Sequence, residues 1–273
     1  MRSLYLIERR HTVTLKQILF GVVIVAALGG VGLFILDNTL FAPAPVNTGL
    51  PVAPTLAAPT TAPAEPPANP TSAAPVDQPG AAPTEPPAVP EASGARLYRI
   101  DAAQSEVRYE VGETLFRNNR FQTAIGRTKG VAGDMLVDFA QPSNSQIGEI
   151  VIDVSQFTSD ETRRDNYIRR EGLQSSRYPY ARFVTRSIEG LPDQVAPGQE
   201  VTLTIHGDLT VKETTLPVTW ILTLHAEDDR LAGSAATEIL MSDFGVGPIQ
   251  VATLVTEDLV KLHFDFVATP VEG

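Results

Sequence analysis

The sequence predicts an all-β domain of about eight antiparallel strands with one short helix, preceded by a single transmembrane helix and a disordered proline-rich linker. Three observations lead to this prediction. Apolar and polar residues alternate with a period of two through much of residues 96–273, as they do in antiparallel strands with one solvated face. A run of twenty uncharged residues lies near the N-terminus, and a stretch rich in proline, alanine and threonine follows it.

The transmembrane helix is predicted over residues 17–36, which read QILFGVVIVAALGGVGLFIL. Twenty residues at ~1.5 Å each give about 30 Å, the thickness of the hydrocarbon core of a bilayer. Residues 1–16 contain three arginines and one lysine, and the next basic residue is Arg96. By the positive-inside rule, residues 1–16 are predicted to be cytoplasmic and the rest of the chain extracytoplasmic, at the cell membrane.

A cleaved signal peptide is the alternative interpretation of this segment. The apolar part of a signal peptide is usually about 7–15 residues long and precedes a cleavage site with small residues. The run here is longer, and Pro43 and Pro45 crowd the only suitable site, around Ala42 and Ala44. The sequence therefore favours an uncleaved anchor.

Residues 37–95 are predicted to be a disordered linker, because they lack hydrophobic periodicity and cannot bury a core. Proline favours an extended backbone, so the segment is expected to act as a semi-rigid spacer. At ~3.1 Å per residue, about 50 residues reach up to ~150 Å. The sequence is equally compatible with a stalk that holds the domain away from the membrane and with a linker that has no length requirement.

Residues 96–273 contain the predicted strands, and the turn signals Gln141-Pro142-Ser143-Asn144 and Ala196-Pro197-Gly198 separate some of them. One helix is predicted, from Ser159 to Glu171, with Ser159 or Asp160 as its N-cap. Many short strands with a single helix indicate a sandwich or a closed barrel. A barrel of about eight strands has room inside for side chains or one small ligand.

The composition excludes several classes of site. The chain of 273 residues contains no cysteine, so disulfides, thiolate metal sites and a cysteine nucleophile are excluded. The formal net charge of −11 argues against nucleic acid as a partner, because phosphate contacts need clustered lysine and arginine.

Residues 97–268 resemble the YceI-like family of extracytoplasmic, lipocalin-like barrels. The resemblance rests on motifs in the expected order. They are Tyr98-Arg-Ile-Asp101, Ile152-Asp-Val-Ser155, Tyr178-Pro179, Gly207-Asp-Leu-Thr210 and Ser242-Asp243-Phe244-Gly245.

The resemblance implies binding rather than catalysis. Members of this family hold a polyisoprenoid or a fatty-acid-like amphiphile inside the barrel, so such a lipid is the expected ligand and no other cofactor is expected. Burial of each CH₂ group contributes about 0.8 kcal/mol, so a long tail binds tightly without specific contacts. The family is often dimeric, although no residue of this sequence indicates a homodimer.

The predicted ligand-binding residues are the apolar members of the alternating strands. They are Val107, Tyr109, Ile150, Ile152, Phe183, Leu203, Ile205, Trp220, Leu222, Phe264 and Phe266. An ordinary filled core requires the same alternation, so the pattern by itself favours a core, and the family resemblance favours a tunnel.

The arginine-rich segment around the predicted helix has two interpretations. Arg163, Arg164, Arg169, Arg170 and Arg177 lie among acidic residues. They form either a basic lip at the barrel mouth that meets an acidic head group or a solvated face with intrahelical ion pairs, and the mixed charges favour the second. Arg164 is expected to pair with Asp165 and dock the helix, while Tyr167 and Ile168 close the barrel end.

No metal site and no catalytic residue are predicted. His206, His225 and His263 fall on three different strands without a histidine partner at a metal-binding spacing. Ser155 and the pair Ser242-Asp243 lack a histidine placed by any motif. The favoured hypothesis is a membrane-anchored lipid-binding barrel, the second is a non-catalytic interaction or structural module, and the weakest is an enzyme with a site at the barrel mouth.

Overall fold

The computed structural model describes residues 43–57, 94–196, 198–226 and 230–271. The described part from Pro45 onward belongs to one compact unit. The predicted cytoplasmic segment 1–16 and the predicted membrane helix 17–36 lie outside the described residues. Among the residues that the structure describes, none forms a helix with the length and hydropathy of a membrane span.

The domain is built from antiparallel strands, as the alternation predicts. Within the described residues the strands are β1 (Arg96–Ile100), β2 (Glu106–Leu115), β3 (Arg120–Thr128), β4 (Val131–Ala132), β5 (Asp134–Val137), β6 (Gln146–Ile147), β7 (Ile150–Asp153), β8 (Tyr180–Glu189), β9 (Glu200–Val211), β10 (Thr214–Ala226), β11 (Leu231–Leu240), β12 (Gln250–Val251) and β13 (Leu254–Pro270).

The strands form one curled sheet in the order β4-β7-β8-β9-β10-β11-β13-β1-β5-β6, and β2 joins β13 to β3. Strands β4 and β5 are two halves of one segment interrupted at Gly133, and they pair with β7 and β1 respectively. The path of pairing therefore returns to the segment from which it began. This curling gives the sheet an inner face on which apolar side chains converge.

The alternation places the core as the sequence predicts. On β9, Val201, Leu203 and Ile205 are buried, whereas Thr202 is exposed. On β10, the buried Leu222 is preceded by Ile221, whose outward side chain is 49% exposed. The prediction of an antiparallel β domain with one wet face is thus confirmed.

The central hairpin depends on a close approach at Gly207. Gly207 of β9 pairs with Val218 of β10, and the ring of Phe183 from β8 lies across its backbone. A Cβ atom at position 207 would stand 2.5 Å from the carbonyl oxygen of Val184 and would also overlap the Phe183 ring. Only glycine lets Phe183 lie at this depth in the core.

The predicted helix is shorter than expected at its N-terminus. Helix α1 spans Thr162–Tyr167, and a π-helical turn, Ile168–Gly172, continues it. The prediction that Ser159 or Asp160 caps the helix was wrong, because Glu161 accepts the hydrogen bond from the Arg163 N–H. Ser159 instead bonds Asp165 through its own N–H and hydroxyl, so the chain turns into the helix later.

Part of the predicted linker lies on the β domain. Residues 45–57, named the arm, fall within the range 37–95 that composition predicts to be disordered. Pro51 of the arm is buried, and the Leu56 side chain lies directly over Gly148, where a Cβ atom would be 3.2 Å from Leu56 Cγ. The arm buries no core of its own and depends on the domain for these contacts.

Candidate functional site

The inner face of the sheet brings together all eleven residues predicted to line a ligand site. Seven of them, including Leu203 at 5% and Leu222 at 4% exposure, are buried in one apolar cluster. The other four are partly buried and pack against the same cluster; they are Tyr109, Ile152, Trp220 and Phe264. Their convergence follows from the period of two, because inward positions of neighbouring strands face one another. Their contact with a ligand stays a prediction.

One end of the interior contains a small apolar cavity of about 50 Å³. Met135 and Phe139 line it from one side, and Leu203, Leu222 and Leu231 line it from the other. Sites for drug-sized ligands measure about 300–1,000 Å³. In this conformation the interior therefore holds its own side chains and leaves little free space.

A larger depression opens where β10 and β11 part. The two strands pair from Ile221 and Ala236 onward, while Leu216–Thr219 and Thr237–Leu240 diverge on either side of a depression of about 330 Å³. The last link across it is a hydrogen bond of 2.7 Å from the Thr237 hydroxyl to the carbonyl oxygen of Thr219. The two strands make no backbone pairing along these two segments. The curled sheet is therefore open at this point.

The depression has an apolar floor and a polar rim. Val218, Ile239 and Phe244 line it and also belong to or pack against the main core cluster. Phe244 is 3% exposed and sits on a short 3-10 turn, Ser242–Phe244, which ends at Gly245 in the left-handed conformation with φ 62°. The rim carries polar groups, among them Glu238 and Asp243. Such a site suits a molecule with an apolar chain and a polar end.

Trp220 adds an unpaired donor to the interior. Its ring packs edge-on against Phe183 at a centroid distance of 6.1 Å. The indole N–H is buried and has no hydrogen-bond partner among the described residues. A buried donor without a partner costs about 1–3 kcal/mol, so a ligand acceptor at this point would be stabilising.

A buried ion pair lies on the inner side beside helix α1. Glu113 of β2 is 2% exposed, and its Oε1 accepts hydrogen bonds from Arg164 at 2.8 Å and from Gln122 at 2.5 Å. Arg164 also pairs with Asp160, and this hydrogen bond lowers the pKa of the Asp160 carboxyl. Glu113 was not singled out from the sequence. Glu113 lies two residues after Val111 on β2, so its side chain points to the same inner face as those of Val107, Tyr109 and Val111. The alternation along β2 therefore predicts a charged side chain inside.

This arrangement changes the interpretation of the arginine-rich segment. The expected pair between Arg164 and Asp165 was wrong, because Arg164 bonds Glu113 and Asp160 while Asp165 accepts from Ser159. Arg169 is 7% exposed and donates to the carbonyl oxygen of Phe157 at 2.7 Å. These two arginines hold the helix on the barrel and are not presented as a basic lip.

Tyr167 ends α1 and Ile168 begins the π turn, and that they close the barrel end stays a prediction. The Tyr167 side chain is 38% exposed, and Ile168 is partly buried. Tyr109 lies on the inner face, edge-on to Phe157 with centroids 5.2 Å apart. Burial raises the pKa of the Tyr109 hydroxyl above its usual range, and the negative charge of Asp165 raises it further. Tyr109 therefore stays neutral at physiological pH.

The histidines and serines considered in the sequence each have a local partner. His206 lies 3.3 Å from Glu189 and His225 lies 3.1 Å from Glu200, on the outer face. His263 Nε2 stands 3.7 Å from Glu110. The Ser242 hydroxyl bonds Asp258, and the Ser155 hydroxyl bonds Asp153. Among the residues that the structure describes, no group of three or more histidine, aspartate and glutamate side chains is placed to hold a metal ion.

Comparisons with known proteins agree with this fold. The family model described as YceI-like domain matches residues 98–268. A protein of Pseudomonas putida described as UPF0312 protein is 32% identical over 131 residues, which are 45% of this chain. The match covers 64% of the relative's own length.

Solved structures with a similar fold include BcnA of Burkholderia cenocepacia, with a TM-score of 0.50 and 22% identity over 62% of this chain and 99% of that one. A polyisoprenoid binding domain from Saccharophagus degradans, implicated in plant cell wall breakdown, has a TM-score of 0.49 and 13% identity. That alignment covers 64% of this chain and 98% of the other.

Proposed function

The chain belongs to the YceI-like domain family, and on this premise we propose that its domain binds a polyisoprenoid or a similar long amphiphile in the β-barrel. The observation that carries the proposal is the depression of about 330 Å³ between β10 and β11. Its size falls within the range of small-molecule sites, about 300–1,000 Å³. Its floor is formed by residues of the core cluster, so an apolar chain that enters there meets the interior.

The energetics of such a ligand suit this lining. Each CH₂ group that leaves water contributes about 0.8 kcal/mol, so affinity grows with chain length without a dedicated polar contact. The polar rim keeps the head group at the surface, and the Trp220 N–H supplies one donor inside. The cavity of about 50 Å³ is too small for the whole chain. Binding therefore requires interior side chains such as Met135 and Leu203 to change position.

We also propose that residues 17–36 anchor the chain in the cytoplasmic membrane, with residues 1–16 in the cytoplasm and the β domain outside. The length and charge distribution of the N-terminal segment support this orientation. Protease added to intact, wall-free cells is expected to digest the β domain and to leave a tag at residue 1 untouched. If neither the tag at residue 1 nor the β domain were digested by the protease, the proposed orientation would be wrong.

A second candidate function is a non-catalytic interaction module, and the small interior cavity favours it. A filled interior makes the barrel a rigid platform. The end of the β2–β3 hairpin also exposes two aromatic side chains, Phe116 at 48% and Phe121 at 58%. Contiguous exposed apolar surface is typical of binding sites for other proteins, and these two side chains lie at the same end of the hairpin.

Photolabelling tests the lipid proposal. The full chain in phosphatidylcholine nanodiscs is exposed to a prenyl alcohol that carries a diazirine, and labelled peptides are mapped by mass spectrometry. We expect saturable labelling of peptides from β10 and β11. Leu240→Glu places a charge at the rim, where Leu240 is 41% exposed, and is expected to reduce labelling about tenfold, because lost contact with about two CH₂ groups costs ~1.6 kcal/mol.

Ile221→Glu is the matched control. Ile221 is an apolar residue of the neighbouring strand and is 49% exposed, but it does not line the depression. Labelling of the Ile221→Glu chain should therefore equal that of the wild type. Labelling that is unsaturable, or that is confined to residues 17–36, would reject the lipid proposal and leave the interaction module.

A further inference from the structure

The arm contacts the domain at a fully buried carboxylate. Asp153 ends β7 and is 0% exposed. Its Oδ1 accepts hydrogen bonds from the Ser155 N–H at 2.9 Å and from the Ser155 hydroxyl at 2.6 Å. Its Oδ2 accepts from the Gln156 amide at 3.0 Å and from the Asn47 amide of the arm at 2.8 Å. The arm thus supplies one of the four donors that satisfy this buried charge.

Two further hydrogen bonds hold the same part of the arm. The Asn47 N–H donates to the Ser155 hydroxyl oxygen at 3.0 Å, and the Gln156 amide donates to the carbonyl oxygen of Gly49 at 2.8 Å. Asn47 is therefore recognised through both its backbone and its side chain. An aspartate at this position would bring a second carboxylate against Asp153, and an alanine would leave Oδ2 with fewer donors.

The arm has a second point of attachment at Thr55 and Leu56, eight and nine residues after Asn47. Leu56 packs over Gly148, and the Thr55 hydroxyl lies 3.4 Å from a guanidinium nitrogen of Arg99. Arg99 is itself fixed by two hydrogen bonds to Asp134, of 2.8 and 3.0 Å. Together with the buried Pro51, these contacts fasten the arm at both ends.

We propose that the surface formed by Asp153, Ser155, Gln156, Gly148 and Arg99 is a binding site for the arm of the same chain, and that this contact holds the domain close to the membrane. Leu56 near the end of the arm packs over Gly148 and β1 begins at Arg96, so docking of the arm closes a loop in the chain. Closure of such a loop costs little extra as it lengthens, about 0.6 kcal/mol per doubling. A contact within one chain is therefore favoured over one between chains.

Docking of the arm limits the distance between the β domain and the membrane, and this inference rests on the proposed anchor at residues 17–36. From Leu36 to Asn47 there are eleven residues, which span at most about 40 Å at ~3.6 Å each. If the arm were detached, the 58 residues from Leu36 to Gly94 would reach up to about 180 Å at ~3.1 Å each. A docked arm therefore keeps its attachment point on the β domain within about 40 Å of the bilayer.

Cleavage of the full chain tests the arm contact without reference to a membrane or a lipid. A protease site is inserted within residues 58–93, the detergent-solubilised chain is immobilised by an N-terminal tag, and release of the β domain is measured after cleavage. We expect the domain to stay bound through the arm. Asn47→Ala is expected to weaken retention about tenfold or more, because it removes a hydrogen bond to a charged group.

Thr48→Ala is the matched control, since Thr48 is the exposed next residue of the arm, and it should retain the domain like the wild type. Fluorescence of Trp220, the one tryptophan in the sequence, verifies that each variant is folded. Immediate release of the wild-type domain, or equal retention by Asn47→Ala and Thr48→Ala, would overturn the proposal. Capture of a separately added, untagged full chain after cleavage would assign the site to a second copy instead.

A distance measurement separates the arm from the anchor. The chain contains no cysteine, so Ser187→Cys on β8 gives a single dye position for energy transfer to labelled lipid in nanodiscs. We expect Asn47→Ala to lower the transfer efficiency and Thr48→Ala to leave it unchanged. If cleavage shows a docked arm and energy transfer is absent, the proposed anchor fails while the arm site stands.

Discussion

Arg164→Met is expected to lower the free energy of unfolding by about 3–5 kcal/mol, the usual cost of removing one partner of a buried ion pair. The Arg164 side chain is 13% exposed and that of Glu113 is 2% exposed. Without the guanidinium, the Glu113 carboxylate stays buried with Gln122 as its remaining partner in the described structure. Urea unfolding of the full chain in detergent, followed by Trp220 fluorescence, measures the change.

Two companion variants make this result specific. Arg163→Met removes an exposed arginine from the same turn of α1 and should cost at most about 1 kcal/mol, the usual upper value for an interaction of an exposed charge. Glu113→Met combined with Arg164→Met should recover much of the loss, because apolar replacement of a buried pair is often neutral. If Arg164→Met were no worse than Arg163→Met, the pair would not hold the helix on the barrel.

Leu203→Ala should lower the free energy of unfolding by about 2–5 kcal/mol. Leu203 points inward from β9, is 5% exposed and lines the small cavity, so its truncation loses buried apolar contacts and enlarges a void. Ile221→Ala on the adjacent strand truncates an outward side chain that is 49% exposed, and we expect it to cost less than about 1 kcal/mol. Equal losses in the two variants would contradict the inward assignment.

The enlarged cavity gives Leu203→Ala a second readout. Cavities lined by leucine, isoleucine and phenylalanine stay dry and take up small apolar molecules. Added benzene should therefore stabilise the Leu203→Ala chain in proportion to its binding, whereas the wild-type cavity of about 50 Å³ is too small for it. Absence of any stabilisation would mean that neighbouring side chains collapse into the space.

Local patterns were sufficient for the strands and for the side of the sheet on which each apolar residue lies. A strand places successive side chains on opposite faces, so the phase of Val201, Leu203 and Ile205 follows from the sequence alone. The same phase rule applied to Glu113 would have revealed an inward charge. The start of the helix was misplaced because Asp165 holds Ser159, a competition between hydrogen-bond partners that composition does not reveal.

No pattern in the sequence predicted the volume of the interior or the opening between β10 and β11. A filled core and a ligand tunnel require the same alternation, so the difference depends on how side chains from opposite walls meet. The parting of the two strands after Ile221 and Ala236 likewise depends on where the 3-10 turn carrying Phe244 packs. The arm is the clearest case, since Asn47 bonds Asp153 more than a hundred positions away.

By itself the sequence determined the antiparallel β domain, its inward apolar residues and the family to which it belongs, because these depend on period and on motifs read along the chain. Only the tertiary structure decided which partners Arg164 takes, how much space the barrel leaves, and that a proline-rich segment binds the domain. Each of these depends on groups that are distant in the sequence and meet only in the folded chain. A buried carboxylate such as Asp153 needs hydrogen-bond donors, and the fold determines which donors lie within reach.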